Sequence, residues 1–191
     1  MGVPTTRSAC RIDLRQTRQV SSAASRSLID PSCGPVVGLL ADRPDLVDAV
    51  TDLRWREWGH GPEPTDRDWW RAATMREAGR ETVPLTWVVS DASGALGAVG
   101  LGRFDIEERR DRSPWLLGMI VRGDRRRGGL GRLLLSHLEE WARGHGFDQV
   151  WVANEGSALD FYRRCGWGVF ETVERDARPT VTVLSKRLKH P

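Results

Sequence analysis

The sequence predicts an α/β (α+β) domain in which helices cover a mixed sheet, and three observations carry that expectation. The run Trp115–Val121 is apolar without interruption, as in a strand buried on both faces at the centre of a sheet. Downstream, Leu130, Leu133, Leu134, Leu138, Trp141 and Ala142 mark one helical face ending at Gly144. Upstream, the strand-like segments Val83–Ser90 and Ala95–Phe104 flank the turn residues Asp91–Gly94, the pattern of a hairpin.

The remaining elements follow from the same periodicities. Leu46, Val47, Val50, Leu53 and Trp58 predict an amphipathic helix over Arg43–Trp58, stopped by Gly59. Thr65 and Asp68 form a capping-box pattern opening a second helix, Asp66–Ala78, with the loop Gly59–Pro64 between the two. After the central strand and its helix, Val150–Ala153 reads as a short strand and Ser157–Cys165 as a short helix. Gly168–Glu174 and Thr180–Leu184 read as two final strands. The expected order is α-α-β-β-β-α-β-α-β-β.

A chain of 191 residues is the size of one domain with an appendage, and 39% hydrophobic residues with 20 Gly suffice for a core. Residues 1–35, rich in Arg and Ser, lack hydrophobic periodicity and read as a disordered extension; residues 36–191 form the single domain. Five arginines against Asp13 and Asp30 in that extension account for the whole formal charge of +3, so the domain itself is balanced. That balance, with no recognisable reading element, argues against a nucleic-acid partner. No apolar run approaches the roughly 18 residues of a membrane-spanning helix, so no membrane partner is expected. The start Met1–Thr6 fits a myristoylation pattern and the Arg/Ser bias loosely resembles a transit peptide; a solvated tail accounts for the same residues. Cys10, Cys33 and Cys165 are odd in number and lack metal-ligand spacing, which points to a reducing, cytoplasmic setting and to no metal.

The segment Arg125–Arg132 stands between the buried strand and the long helix. A glycine-rich turn there leaves backbone N–H groups unpaired at the positive end of a helix dipole, an anion site. It lacks the Gly-Lys-Ser/Thr of a phosphate-binding loop, and Leu134 stands where a dinucleotide fingerprint requires its third glycine. Its pattern is Arg126-x-x-Gly129-x-Gly131, directly after Met119-Ile120-Val121. A second segment reads Ala158-x-x-Phe161-Tyr162-x-x-x-Gly166-Trp167.

Together these two segments resemble the GNAT superfamily of acyl-CoA-dependent N-acetyltransferases, in element order over about residues 37–188 and strongly over Trp115–Trp167. The resemblance implies a mixed, mostly antiparallel central sheet flanked by helices, with acetyl-CoA as cosubstrate. It implies that Arg126, Arg127, Gly128, Gly129, Leu130, Gly131 and Arg132 hold the coenzyme's pyrophosphate. Met119, Ile120 and Val121 would align its arm and thioester, with Asn154, Ala158 and Phe161 completing the coenzyme site. Tyr162, the one tyrosine of the chain, would protonate the departing thiolate; an ordinary phenol is still protonated at neutral pH. Two positions depart from the family: Arg127 and Gly123 stand where Gly and Pro are common. Asn154 also lies one residue further from Ala158 than the family's usual asparagine.

The amine must lose a proton before it attacks, and the candidates for that base are Glu155 first, then His60, Glu63 and Asp105. Trp58, His60 and Trp115 are the candidates for contact with the acceptor, Trp58 through a cation–π surface. The expected partner is an amine on a small molecule, peptide or protein, and a homodimer is compatible with the sequence. The rival readings are a noncatalytic acyl-CoA-binding module and, behind it, a nucleic-acid binder.

Overall fold

A computed structural model describes residues 34–60, 66–156, 158–176 and 178–189. The expected extension, apart from Gly34 and Pro35, lies outside the described residues, as do the loop 61–65, with Glu63 and Thr65, and Ser157. The strands are β1 (Val36–Leu39), β2 (Leu85–Asp91), β3 (Gly94–Gly102), β4 (Trp115–Val121), β5 (Gln149–Asn154), β6 (Gly168–Arg175) and β7 (Arg178–Arg187). The helices are α1 (Val47–Trp58), α2 (Arg67–Arg76), α3 (Leu130–Gly144) and α4 (Leu159–Arg164).

The strands form one sheet in the order β1-β2-β3-β4-β5-β7-β6. Every pairing is antiparallel except β4 with β5. The expected order therefore needs one correction: it omits β1, a four-residue edge strand paired with β2 at Val36↔Ser90 through Leu39↔Trp87. So short a strand, interrupted by Gly38, carries no readable alternation, and its place comes from its partner.

Alternation in β2 and β3 builds both faces. Leu85, Val89, Leu96 and Val99 pack under Leu134, Leu135 and Leu138 of α3. Val88, Ala98 and Ile120 pack under Val47 and Val50 of α1 on the other side. Each fully buried Leu or Val contributes about 1.5–3 kcal/mol of apolar transfer, which outweighs the weak intrinsic preferences of short segments. A third cluster, Trp115, Trp151, Val173, Val181 and Val183, fills the β5-β7-β6 half.

Local signals fix the ends of the helices. Asp66 caps α2, accepting from the Asp68 backbone N–H at 2.9 Å. Gly146 (φ 80) stops α3 where Phe147 N–H reaches back to the Ala142 carbonyl at 3.0 Å. Pro44–Leu46 form a 3-10 turn ahead of α1 rather than its first helical turn.

Candidate active site

β4 and β5 touch at a single ladder pair, Trp115↔Trp151, supported by a hydrogen bond from Trp151 N–H to the Pro114 carbonyl at 3.1 Å. Beyond that pair the strands diverge, and a cavity of about 560 Å³ opens between Leu116–Met119 on one side and Val152–Glu155 on the other. The carboxyl ends of parallel strands are where open α/β sheets place their ligands. β4 is accordingly less buried than its uniform hydrophobicity suggests: Leu117, Gly118 and Met119 are only half-buried because they form the cavity wall.

A bulge re-aims that wall. Ala98 pairs with Ile120 and Gly100 with Leu117, so Gly118 and Met119 stand together opposite Val99 alone. Gly118 adopts φ 46, the left-handed region that glycine tolerates.

Tyr162 reaches the cavity from the other side of the sheet. Its ring is 4% exposed, and its hydroxyl donates a weak contact to Met119 Sδ at 3.7 Å. The helix cap sets this position. Gly166 (φ 85) lets Trp167 N–H reach the Tyr162 carbonyl at 3.1 Å, and the Trp167 ring packs 5.6 Å from that of Tyr162. Below, Glu139 of α3 accepts from Trp167 Nε1 at 3.1 Å and Lys186 Nζ at 2.7 Å, and Lys186 also donates to the Cys165 carbonyl, tying α4 to α3 and β7. Burial, with a smaller push from the charge of Asp105, raises the Tyr162 phenol well above its ordinary value of 10.0. The proton stays on the hydroxyl at neutral pH.

The glycine-rich segment opens α3. Gly129 (φ 83) is the N-cap, with no side chain among the described residues bonded to the first-turn N–H groups and open space where its β-carbon would be. The loop is held rigid from outside: Arg126 donates to the Val121 carbonyl at 3.0 Å and Glu57 at 2.8 Å, and Arg125 to Asp91 at 3.3 Å. Arg127 (φ 67) is the one non-glycine residue in the left-handed region among those described, which explains why glycine is usual there. Arg127 and Arg132 are exposed and have no ion-pair partner among the described residues. Open amides at a helix N-terminus with two unpaired guanidinium groups beside them fit the pyrophosphate of a coenzyme A. Gly131 plays another part: a β-carbon there would stand 3.1 Å from Phe161 Cζ and 3.2 Å from Met119 Cε.

Residues 47–167 match the Acetyltransferase (GNAT) family. The chain belongs to that family. Among solved structures, an aminoglycoside 6'-N-acetyltransferase complexed with coenzyme A is similar at 14% identity and TM-score 0.67, over 82% of this chain and 98% of that one. The aminoglycoside 6'-N-acetyltransferase from Enterococcus faecium is similar at 12% identity and TM-score 0.64, over 82% of this chain and 98% of that one. The ribosomal-protein-S18-alanine N-acetyltransferase from Escherichia coli is similar at 17% identity and TM-score 0.59, over 83% of this chain and 96% of that one. At such identities the likeness establishes the fold. No curated protein sequence matches the chain.

Within this GNAT domain the structure sorts the residues singled out from sequence. Tyr162, Met119, Asn154 and Glu155 line the cavity, as do Trp58 and Asp105. Asn154 also closes the turn after β5, its Oδ1 accepting from Gly156 N–H at 2.8 Å and Ala158 N–H at 3.3 Å. Trp115 requires correction as an acceptor contact. It is fully buried in the third cluster, with its indole N–H donating to the Arg112 carbonyl at 2.8 Å, and it is absent from the cavity wall. His60 is exposed beyond the end of α1, against Trp55 at 6.2 Å between ring centroids, and also stands outside the wall.

Sequence reasoning missed Arg54 and Glu77, which line the cavity floor on the α1–α2 side. Arg54 Nη1 donates to Glu77 Oε2 at 2.8 Å. The signal available was positional: Arg54 follows Val47, Val50 and Thr51 on the buried stripe of α1. A charged residue on an apolar stripe marks a paired or functional site.

Proposed function

We propose that this GNAT acetyltransferase moves an acetyl group from acetyl-CoA to a primary amine by direct attack within a ternary complex. The observation that carries the reading is convergence: the Tyr162 hydroxyl and the β4 bulge at Gly118–Met119 face one cavity between diverging parallel strands.

The backbone amides from Gly128 through the first turn of α3 at Arg132, together with Arg126 and Arg127, take the pyrophosphate. Met119, Ile120 and Val121 align the arm, backbone N–H groups there polarise the thioester carbonyl, and Ala158 and Phe161 border the same site. Bound acetyl-CoA supplies an activated acyl carbon. The amine nitrogen forms a bond to that carbon, the carbon–sulfur bond breaks, and Tyr162 gives its proton to the departing sulfur. Glu155, exposed at the end of β5, receives the proton the amine sheds, through water in the cavity. Trp58 borders the acceptor. The same reading carries a cytoplasmic setting, supported by the cysteine spacing.

Calorimetric titration with acetyl-CoA, and with desulfo-CoA to isolate pyrophosphate recognition, tests the coenzyme site. Micromolar binding of both is expected, followed by thiol release on adding a primary amine. A folded protein that binds neither overturns the assignment.

A further inference from the structure

Two helical stripes face each other across the floor of the cavity. α1 presents Arg54 and Trp58, one turn apart; α2 presents Trp70 and Ala73, and Glu77 follows as its C-cap. The stripes meet at both ends. Trp58 stacks on Trp70 at 6.1 Å and 25°, and Arg54 pairs with Glu77. Between Trp70 and Glu77, about 10 Å of helix, α2 lines the cavity with the small side chain of Ala73, which leaves room for an apolar arm running from the tryptophans to the carboxylate.

The charged end is built rather than incidental. Arg54 is 3% exposed; beside Glu77 it donates to the Thr74 and Thr86 hydroxyls at 3.4 Å each, and its Nε has no hydrogen-bond partner among the described residues. The sheet makes room for it. A β-carbon at Gly100 would stand 3.2 Å from Glu77 Oε2, and one at Gly118 would stand 3.3 Å from Arg54 Nε. Gly118 is the bulge residue itself, so the pair lies directly across β4 from the Met119–Tyr162 contact. Arg54 engages Glu77 Oε2, while Oε1 has no hydrogen-bond partner among the described residues and the side chain keeps 24% of its surface open.

A carboxylate fixed by one cation, with its second oxygen unpaired among the described residues at the wall of a cavity that tryptophans also line, is suited to receive another cation. We infer that Glu77 is the docking point for the acceptor's primary ammonium group, and that the acceptor carries it on an apolar or aromatic arm lying over Ala73 toward Trp70 and Trp58. The inference rests on the acetyl-transfer reading and names its acceptor class. Glu77 holds the nitrogen next to the bulge; the exposed Trp69 and Phe104 mark the mouth through which the arm leaves.

The test compares phenethylamine with 2-phenylethanol, the same arm ending in a neutral hydroxyl, by calorimetry on protein saturated with coenzyme A. The amine is expected to bind at least about tenfold more tightly. Glu77→Gln alone would leave Arg54 buried without its counter-ion, so the decisive variant is the double substitution Arg54→Met with Glu77→Met, which strands neither charge. It is expected to fold, to bind coenzyme A as the wild type does and to lose the preference for the amine. Equal binding of the two probes by the wild type, or a preference that survives in the double variant, overturns the inference. Wild-type protein that fails to take up coenzyme A overturns the acetyl-transfer reading itself, which the saturation step reports separately.

Discussion

Gly131 and Phe161, one in each of the two segments that resemble the GNAT family, are in contact. A β-carbon on Gly131 would stand 3.1 Å from Phe161 Cζ, and the Phe161 ring lies 5.3 Å from that of Tyr162. The glycine-rich loop and the tyrosine helix are therefore one mechanical unit. Gly131→Leu, too large for a shift of a few tenths of an ångström to accommodate, should push Phe161 and Met119 outward, costing about 1–3 kcal/mol of stability and lowering kcat more than it raises the KM for acetyl-CoA. Thermal unfolding with steady-state kinetics checks both, and unchanged kcat would show that the two segments are independent.

Tyr162→Phe removes one hydroxyl whose sole hydrogen-bond contact among the described residues is the weak one to Met119, so packing should survive. Turnover should fall by roughly 10² to 10⁴ with coenzyme A binding intact. Because burial raises the phenol above its ordinary 10.0, the protonated form contributes stability that is fully present below pH 10 and is lost as pH climbs toward the folded value. The Phe variant should consequently show a flatter alkaline limb of stability. Wild-type turnover in this variant removes Tyr162 as the acid.

Gly129→Val acts through two causes at one position. The backbone at φ 83 is strained for a β-branched residue, and the added side chain fills open space on the solvent side of the first-turn amides, where the phosphates bind. Coenzyme A binding should disappear while the protein remains folded. Circular dichroism and calorimetry together decide it, and a wild-type binding isotherm would move the pyrophosphate elsewhere.

The elements legible from sequence are those whose partners are local. α3 declares itself through Leu134, Leu135 and Leu138, and β4 through seven apolar residues bounded by Pro114 and Arg122. β1 is invisible because its pairing to β2 is its identity. In the site, Tyr162 and the loop were readable as spaced motifs. Arg54 and Glu77 were not, because their meaning arises where two helices and two strand glycines converge. Trp115 misled for the complementary reason: its place next to a loop suggested access, while the Trp115↔Trp151 pair buries it at the point where β4 and β5 join.

Glu171 of β6 accepts from Arg109 at 2.7 and 2.8 Å and also from Arg112, fastening the segment that carries Asp105 to the sheet. These guanidinium groups hold its carboxyl at about 2, against an ordinary 4.5. A lowered carboxylate stabilises the fold above its unfolded value, and that contribution is lost as pH falls from about 4.5 toward 2. The group is partly solvated, so screening keeps the effect modest and salt-sensitive. Glu171→Gln should flatten the acid limb of an unfolding profile in that window, with little change near neutrality. An identical acid limb in the variant would assign acid sensitivity to other carboxylates.

Arg127 sets strain against binding. At φ 67 a residue with a β-carbon sits about 1–2 kcal/mol above its right-handed alternative. Arg127→Gly relieves that cost, while the freer unfolded chain takes back a large part of it, leaving a net gain of about 0.5 kcal/mol. The same substitution removes a guanidinium that is exposed beside the open amides and has no protein partner among the described residues. If that group meets a phosphate, affinity for coenzyme A should fall about tenfold as stability rises. The opposite signs separate the two roles, since an arginine with no part in binding would let stability rise while affinity stayed the same. Chemical denaturation and calorimetry on one variant measure them, and a variant that is both more stable and equally tight would make Arg127 a tolerated departure with no part in binding.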